Sequence, residues 1–151
     1  MEITAAGAKW YVSTTAPATH DQAGFEGILD WVEVKKLQNL GTIGSTFSEV
    51  TYNVLGDKSE KNRKGTRSNG GLEPTMYSDD SDAGQALVLS GVDGSEENTQ
   101  FSHKIVRDDG ATRYNVGYIY SAPESIGTND DMITNAVMVK FDEKLVKVAA
   151  P

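Results

Sequence analysis

Phe101-Ser102-His103-Lys104-Ile105-Val106-Arg107-Asp108-Asp109-Gly110-Ala111-Thr112-Arg113-Tyr114-Asn115-Val116-Gly117-Tyr118-Ile119-Tyr120 decides the fold class. Residues 113–120 put Tyr114, Val116, Tyr118 and Tyr120 on one side of an extended chain. That is the period of two that a strand requires. Residues 101–107 alternate less cleanly but have the same character. Between them stands Asp109-Gly110, a strong signal for a two-residue hairpin, because Gly tolerates the positive φ of a type I′ turn.

The same period extends outward. Toward the C-terminus, residues 131–141 put Ile133, Val137, Val139 and Phe141 on one side and Met132, Ala136 and Met138 on the other. This strand is expected to be covered on both faces, and residues 145–148 either extend it or pair separately. Toward the N-terminus, Trp10-Tyr11-Val12 opens a short strand. Residues 31–37 place Val32 and Val34 opposite Glu33 and Lys35, and residues 47–55 place Val50, Tyr52 and Val54 opposite Glu49, Thr51 and Asn53. Residues 72–77 form a weaker run, which Pro74 restricts to an edge or a bulge. One helix is expected, at about 82–90. Asp82 caps it with Gln85 in a capping-box-like pair, Gly91 stops it, and Ala83, Leu87 and Ser90 mark its narrow inner stripe.

Two polar stretches interrupt the strands. Residues 13–24 contain little apolar matter. Residues 56–71 contain no apolar side chain at all, and a loop of that length inside a compact domain is uncommon unless it is functional or disordered. The expected fold is therefore mainly β. It is a sandwich or barrel of antiparallel strands in one domain spanning 1–151, with one short flanking helix and a long polar loop at about 56–71.

Composition agrees. Apolar residues other than Gly make up 38% of the 151, and there are 15 Gly. A thin core with many turns suits strands better than a helical bundle. The absence of Cys excludes disulfides, thiol nucleophiles and thiolate metal sites. Met1-Glu2-Ile3-Thr4-Ala5 has neither the basic nor the apolar region of a secretory signal, and no run is long enough for a membrane anchor. A net charge of −8 opposes the phosphate neutralisation on which nucleic-acid affinity rests.

Charge is segregated along the chain. Residues 57–67 carry Lys58, Lys61, Arg63, Lys64 and Arg67 against Asp57 and Glu60. Residues 79–97 carry Asp79, Asp80, Asp82, Asp93, Glu96 and Glu97 and no base. A lone domain has no evident need for this. An assembly that presses the basic loop of one copy onto an acidic rim of the next would use it, with Asp79, Asp80, Asp93, Glu96 and Glu97 as the acidic contact or as a lumen surface. A solvated loop and a DNA-binding loop are the alternatives, the second opposed by the lack of interleaved aromatics.

Catalytic, cofactor and metal sites are not expected. His20 stands in a polar loop. His103 stands in a strand, where neighbouring Ser102 points to the opposite face. Asp79-Asp80-Ser81-Asp82 lacks the spacing of a calcium loop and suits a helix N-terminus instead. Gly65 to Gly71 does not match a phosphate-binding loop.

In order and spacing, these features resemble the tail tube (major tail) proteins of long-tailed bacteriophages. Gly7-Ala8-Lys9-Trp10-Tyr11-Val12 is similar to that family's opening strand. Asp30-Trp31-Val32-Glu33-Val34-Lys35-Lys36-Leu37 is similar to its acidic-Trp strand, followed by a Gly-containing turn at Gly41 to Gly44. The strand ending in Tyr52, the loop 56–71, the helix at 82–90 and the hairpin around Asp109-Gly110 follow in the family's order. The resemblance covers residues 7 to 148. It implies a structural virion protein with no enzymatic activity and no cofactor. Copies would form hexameric rings with a continuous β-barrel wall, and the rings would stack into a tube through which DNA passes without specific binding. The implied partners are other copies, the tape measure protein, the tail tip and the tail terminator. The implied locations are the virion and, during assembly, the host cytoplasm. Related tubes occur in contractile tails, secretion systems and gene transfer agents. The competing reading from the residues is a β-sandwich binding module for carbohydrate, with Trp10, Trp31 and the tyrosines as a stacking platform.

Overall fold

The computed structural model describes residues 2–151, and Met1 of the N-terminal segment lies outside them. In chain order the elements are β1 (Lys9–Ser13), α1 (Gln22–Glu26), β2 (Val32–Val34), β3 (Leu37–Asn39), β4 (Thr46–Asn53), β5 (Glu60–Ser68), β6 (Gly71–Leu72), β7 (Thr75–Tyr77), α2 (Ala83–Asp93), β8 (Phe101–Val106), β9 (Thr112–Ser121), β10 (Glu124–Ser125), β11 (Thr134–Ala136), β12 (Met138–Phe141) and β13 (Val146–Val148). The fold is mainly β and its pairings are antiparallel, in agreement with the sequence. Among the described residues no barrel closes.

The hairpin read first holds the centre. A seven-stranded sheet, A, runs β2-β1-β8-β9-β12-β6, with β13 also paired to β9. The ten-residue β9 serves two partners along one edge: Gly117–Ser121 pairs with β12, and Thr112–Tyr114 with β13. The hairpin turn differs from the expected one. Asp109 does not take positive φ; only Gly110 does, at 90°. Gly110 N–H donates to the Arg107 carbonyl at 3.0 Å, and Arg107 N–H to that of Ala111 at 2.9 Å. This is a three-residue loop closed by a left-handed Gly, which relieves Asp109 of the strain a type I′ turn imposes.

A four-stranded sheet, B, runs β10-β11-β7-β3. Three segments turn from one sheet into the other. β2 leads into β3 through Lys36, at φ 65°. β6 leads into β7 through Glu73-Pro74, and β11 into β12 through Val137. Val137 N–H donates to the Pro74 carbonyl at 2.8 Å, so two of these corners form one hydrogen-bonded bend. Pro74 marks a break between strands, as its missing N–H demands. Residues 131–141 are therefore two strands, not one. Nor is the pair covered on both faces: Val137, Val139 and Phe141 are buried, while Met132, Ala136 and Met138 are exposed. Among the described residues no layer lies over that outer face.

Between the sheets, Trp10, Val12, Val34, Leu72, Met76, Phe101, Ile105, Ile119, Val139 and Phe141 form the main core. α2 completes it, one position out of the expected register. Its inner stripe is Gly84, Gln85, Val88 and Gly91, with Leu87 only half-buried. Small residues bring the helix close: a Cβ on Gly84 would stand 2.0 Å from the Glu33 carbonyl oxygen. Gly91 lies inside the helix, against the Phe101 ring, and the helix ends at Gly94.

Asp82 caps α2 by accepting from Gln85 N–H at 3.1 Å, and it also accepts from Lys35 N–H. The Gln85 side chain does not reach back to complete a capping box. It is buried, donates to the Lys35 and Tyr77 carbonyls and accepts from Asp79 N–H. It thus joins the helix to β7 of sheet B and to the corner between β2 and β3. The second helix, α1, was not expected. Asp21 caps it, and it lays Phe25 and Ile28 over Tyr114 and Val116 on the outer face of sheet A. The Phe25 and Tyr114 rings stack at 5.1 Å.

His103 sits in the main core between Trp10, Phe101 and Phe141. Its Nδ1 accepts from Trp10 Nε1 at 3.3 Å, and its Nε2 faces the Gly117 carbonyl at 3.2 Å. These partners require a neutral ring that donates from Nε2. Burial pushes its pKa down to about 4. The unfolded chain binds this proton near 6.5, so stability is full above that pH and is lost as pH falls toward 4. Denaturant titrations at pH 7 and pH 5 should show the wild type losing roughly 2 kcal/mol more than a His103→Gln variant over the same interval. Parallel losses in the two proteins would contradict this role for His103.

Candidate assembly surface

β4 and β5 form a hairpin that belongs to neither sheet. This corrects the expected loop at 56–71, since residues 60–68 form a strand paired with residues 46–53 from Thr46↔Ser68 to Asn53↔Glu60. Eight residues at roughly 3.3 Å each make β4 about 26 Å long. The alternation read for residues 47–55 is present, yet every residue of β4 is exposed. We call this element the arm.

All five basic residues named from the sequence lie on the arm, and their positions follow from the register. Lys61 and Arg63 share a face with Val50 and Tyr52, and Lys64 lies across from Glu49 on the other face. The Arg63 guanidinium lies 5.9 Å from the Tyr52 ring centre, and the Lys64 ammonium 4.8 Å from that of Phe47. Arg67 also reaches Phe47 and donates to Ser45 Oγ at 3.0 Å. Lys58 stands in the tip, where Asp57 pairs with Lys61 at 2.8 Å. The Lys61 ammonium and the Ser59 N–H hold the Asp57 carboxyl below its ordinary pKa. Leu55 at the tip is fully exposed.

The five acidic residues fall in two groups. Asp79 and Asp80 follow β7, before α2. Asp93 ends α2, and Glu96 and Glu97 lie beyond it. An eleven-residue helix at about 1.5 Å per residue separates the two groups by about 16 Å. Asp79 accepts from Ser81 N–H and Oγ, which lowers its pKa, and Glu96 accepts from Thr99 Oγ1. Asp80 and Asp130 make no side-chain hydrogen bond among the described residues.

Sequence reasoning missed the exposure of Phe47, Val50, Tyr52, Val54 and Leu55 on the arm, and of Ile126, Met132 and Ile133 around the β10–β11 loop. The available signal was the pairing of an apolar alternating strand with a following segment that had no apolar residue to share a core.

Elsewhere the chemistry is structural. Trp10 is wholly buried and takes no part in an aromatic platform, whereas Tyr118 and Tyr120 are exposed and Trp31 is half-buried. His103 spends both ring nitrogens on strand contacts, and the Ser102 hydroxyl donates to the Thr15 carbonyl on the other side of the sheet. His20 lies edge-on to Phe25. No helix among the described residues is long and apolar enough to cross a membrane.

No protein-family model matches the chain, and no curated protein matches it. Solved structures share its fold. The tail of an empty GTA particle, refined helically in C6 symmetry, gives a TM-score of 0.60 at 15% identity over 82% of this chain and 90% of that one. The SPP1 tail tube gives 0.58 at 17% identity over 93% and 75%. A chain of the six-fold symmetrised baseplate of the anti-feeding prophage gives 0.64 at 6% identity over 99% of each. The chain thus has the tail-tube fold that the sequence resemblance implied.

Because the arm buries no side chain, replacing residues 47–67 by a short Gly-Ser linker should leave the melting temperature within about 3 °C of the wild type. A fall of about 10 °C in calorimetry would place the arm within the cooperative core.

Proposed function

We propose that the chain is the structural subunit of a tail tube. Copies form rings of six, rings stack through the arm, and the resulting tube surrounds the tape measure protein before DNA passes along it. The tail tip and tail terminator cap its ends, and the subunit is made in the host cytoplasm before it enters the virion. The observation that carries this reading is the arm, an exposed basic and apolar hairpin on a fold shared with tail and tube structures.

The physics supports it. An isolated two-stranded hairpin is marginal in water, so the arm gains order on contact with a neighbour. That coupling costs free energy at each addition and keeps free subunits soluble until an end is available. The open edges of sheet B, β3 and β10, offer unpaired backbone groups for lateral contact. The net charge of −8 keeps DNA from adhering to the wall.

Electron microscopy of the purified protein, with tail-tip partners as initiators, should show rings and tubes. The triple variant R63E/K64E/R67E should keep its melting temperature and form none. A wild-type protein that stays monomeric with those partners would overturn the reading, and tubes from the triple variant would overturn the role of the arm.

A further inference from the structure

The arm exposes two kinds of surface, cationic and apolar, and a receiving surface needs both complements. Residues 46–68 hold five basic and three acidic residues; the rest of the chain holds nine basic and nineteen acidic. Acidic surface is therefore abundant outside the arm, and exposed apolar residues must discriminate among its parts. Among the described residues 91–100, which hold Asp93, Glu96 and Glu97, no large apolar side chain is exposed. Around the β10–β11 loop three are: Ile126, Met132 and Ile133.

That loop is not alone. Ser78 N–H donates to the Ile133 carbonyl at 2.9 Å, and Tyr77 pairs with Thr134. Asp79 and Asp80 thus follow, and Asp130 and Asp131 precede, the last hydrogen-bonded contact at one end of sheet B. The Asp131 carboxylate accepts from Thr128 N–H and Oγ1, which fixes the turn and keeps the acid charged by lowering its pKa. No Lys or Arg occurs between Arg67 and Lys104, or between Arg113 and Lys140; Lys36, whose carbonyl accepts from Tyr77 N–H, is the base whose charge reaches Asp79, and it leaves the acids in excess. The result is an acidic rim with an exposed apolar centre.

Its position relative to the arm is set by register. At one end of the paired segments 71–77 and 134–140, Gly71 pairs with Lys140, and Phe141 N–H donates to the Gly70 carbonyl just after β5. At the other end, Tyr77 pairs with Thr134 at the rim. Arm root and rim thus stand at opposite ends of one bent strand pair.

We propose that this rim, Asp79, Asp80, Asp130 and Asp131 around Met132 and Ile133, is the receptor for the arm of another copy. Arm bases meet rim acids, and Leu55 or Tyr52 covers Met132 and Ile133. A contact between unlike ends of the same molecule does not close on itself, so each addition presents a fresh rim or a fresh arm and the assembly grows in one direction. The inference rests on the tube reading and assigns the surface that the arm engages.

The test is a charge exchange. Asp80 and Asp130 are chosen because neither holds a turn. D80K/D130K should keep the wild-type melting temperature and raise the concentration needed for tube formation at least about tenfold, as R63E/K64E should. Copies carrying all four changes should recover most of that loss. Wild-type tubes together with unimpaired D80K/D130K tubes would overturn the receptor and leave the tube reading standing. So would impaired D80K/D130K without recovery in the fourfold variant. A wild-type protein that never forms tubes would overturn both.

Discussion

Val137 gives its amide proton to the Pro74 carbonyl at the point where two paired strands leave one sheet and enter the other. Much of the architecture depends on that bend. It lets Leu72 and Val139 pack in sheet A while Met76 packs from sheet B, so one short stretch of chain closes the core from two sides. Gln85 then ties α2 to sheet B through the Tyr77 carbonyl and to the β2–β3 corner through that of Lys35. A buried side chain with three satisfied bonds is costly to replace, because each orphaned group carries a desolvation penalty of about 1–3 kcal/mol.

The same bend gives the molecule two different ends. One is the root of an arm with no core of its own; the other is an acidic edge with exposed Met132 and Ile133. In a monomer both are liabilities. The arm exposes five large apolar side chains, and an open hairpin has edges that invite pairing. Copies that join through these surfaces remove the liability and spend the apolar area on association. The charge division works in the same direction, since a basic arm and an acidic body repel their own kind and attract each other.

How much of this was legible in the sequence follows from what each strand covers. Strands that face the core on one side announced themselves through alternation, as at Val137, Val139 and Phe141. The tail-tube fold was also legible, through the order of weak marks. β5 was not, because hydrophobic periodicity records burial and Glu60 to Ser68 buries nothing; its ladder to β4 leaves no trace in side-chain polarity. The register of α2 slipped by one because its close contacts are made by Gly84 and Gly91, which carry no apolar signal. α1 is five residues long and announced only by Asp21 and Phe25. The acidic residues at 79–97 are close in sequence, but α2 divides them into two groups. Asp130 and Asp131 join the rim only through sheet pairing.

On the proposed reading, the arm gains its order from a neighbouring copy. Amide hydrogen exchange over residues 46–68, in the free subunit and in the assembled tube, measures this directly. The account predicts near-unprotected exchange in the free subunit, alongside a protected β8–β9 hairpin, and strong protection of the arm in the tube. Equal protection of the arm in both states, high or low, would contradict it.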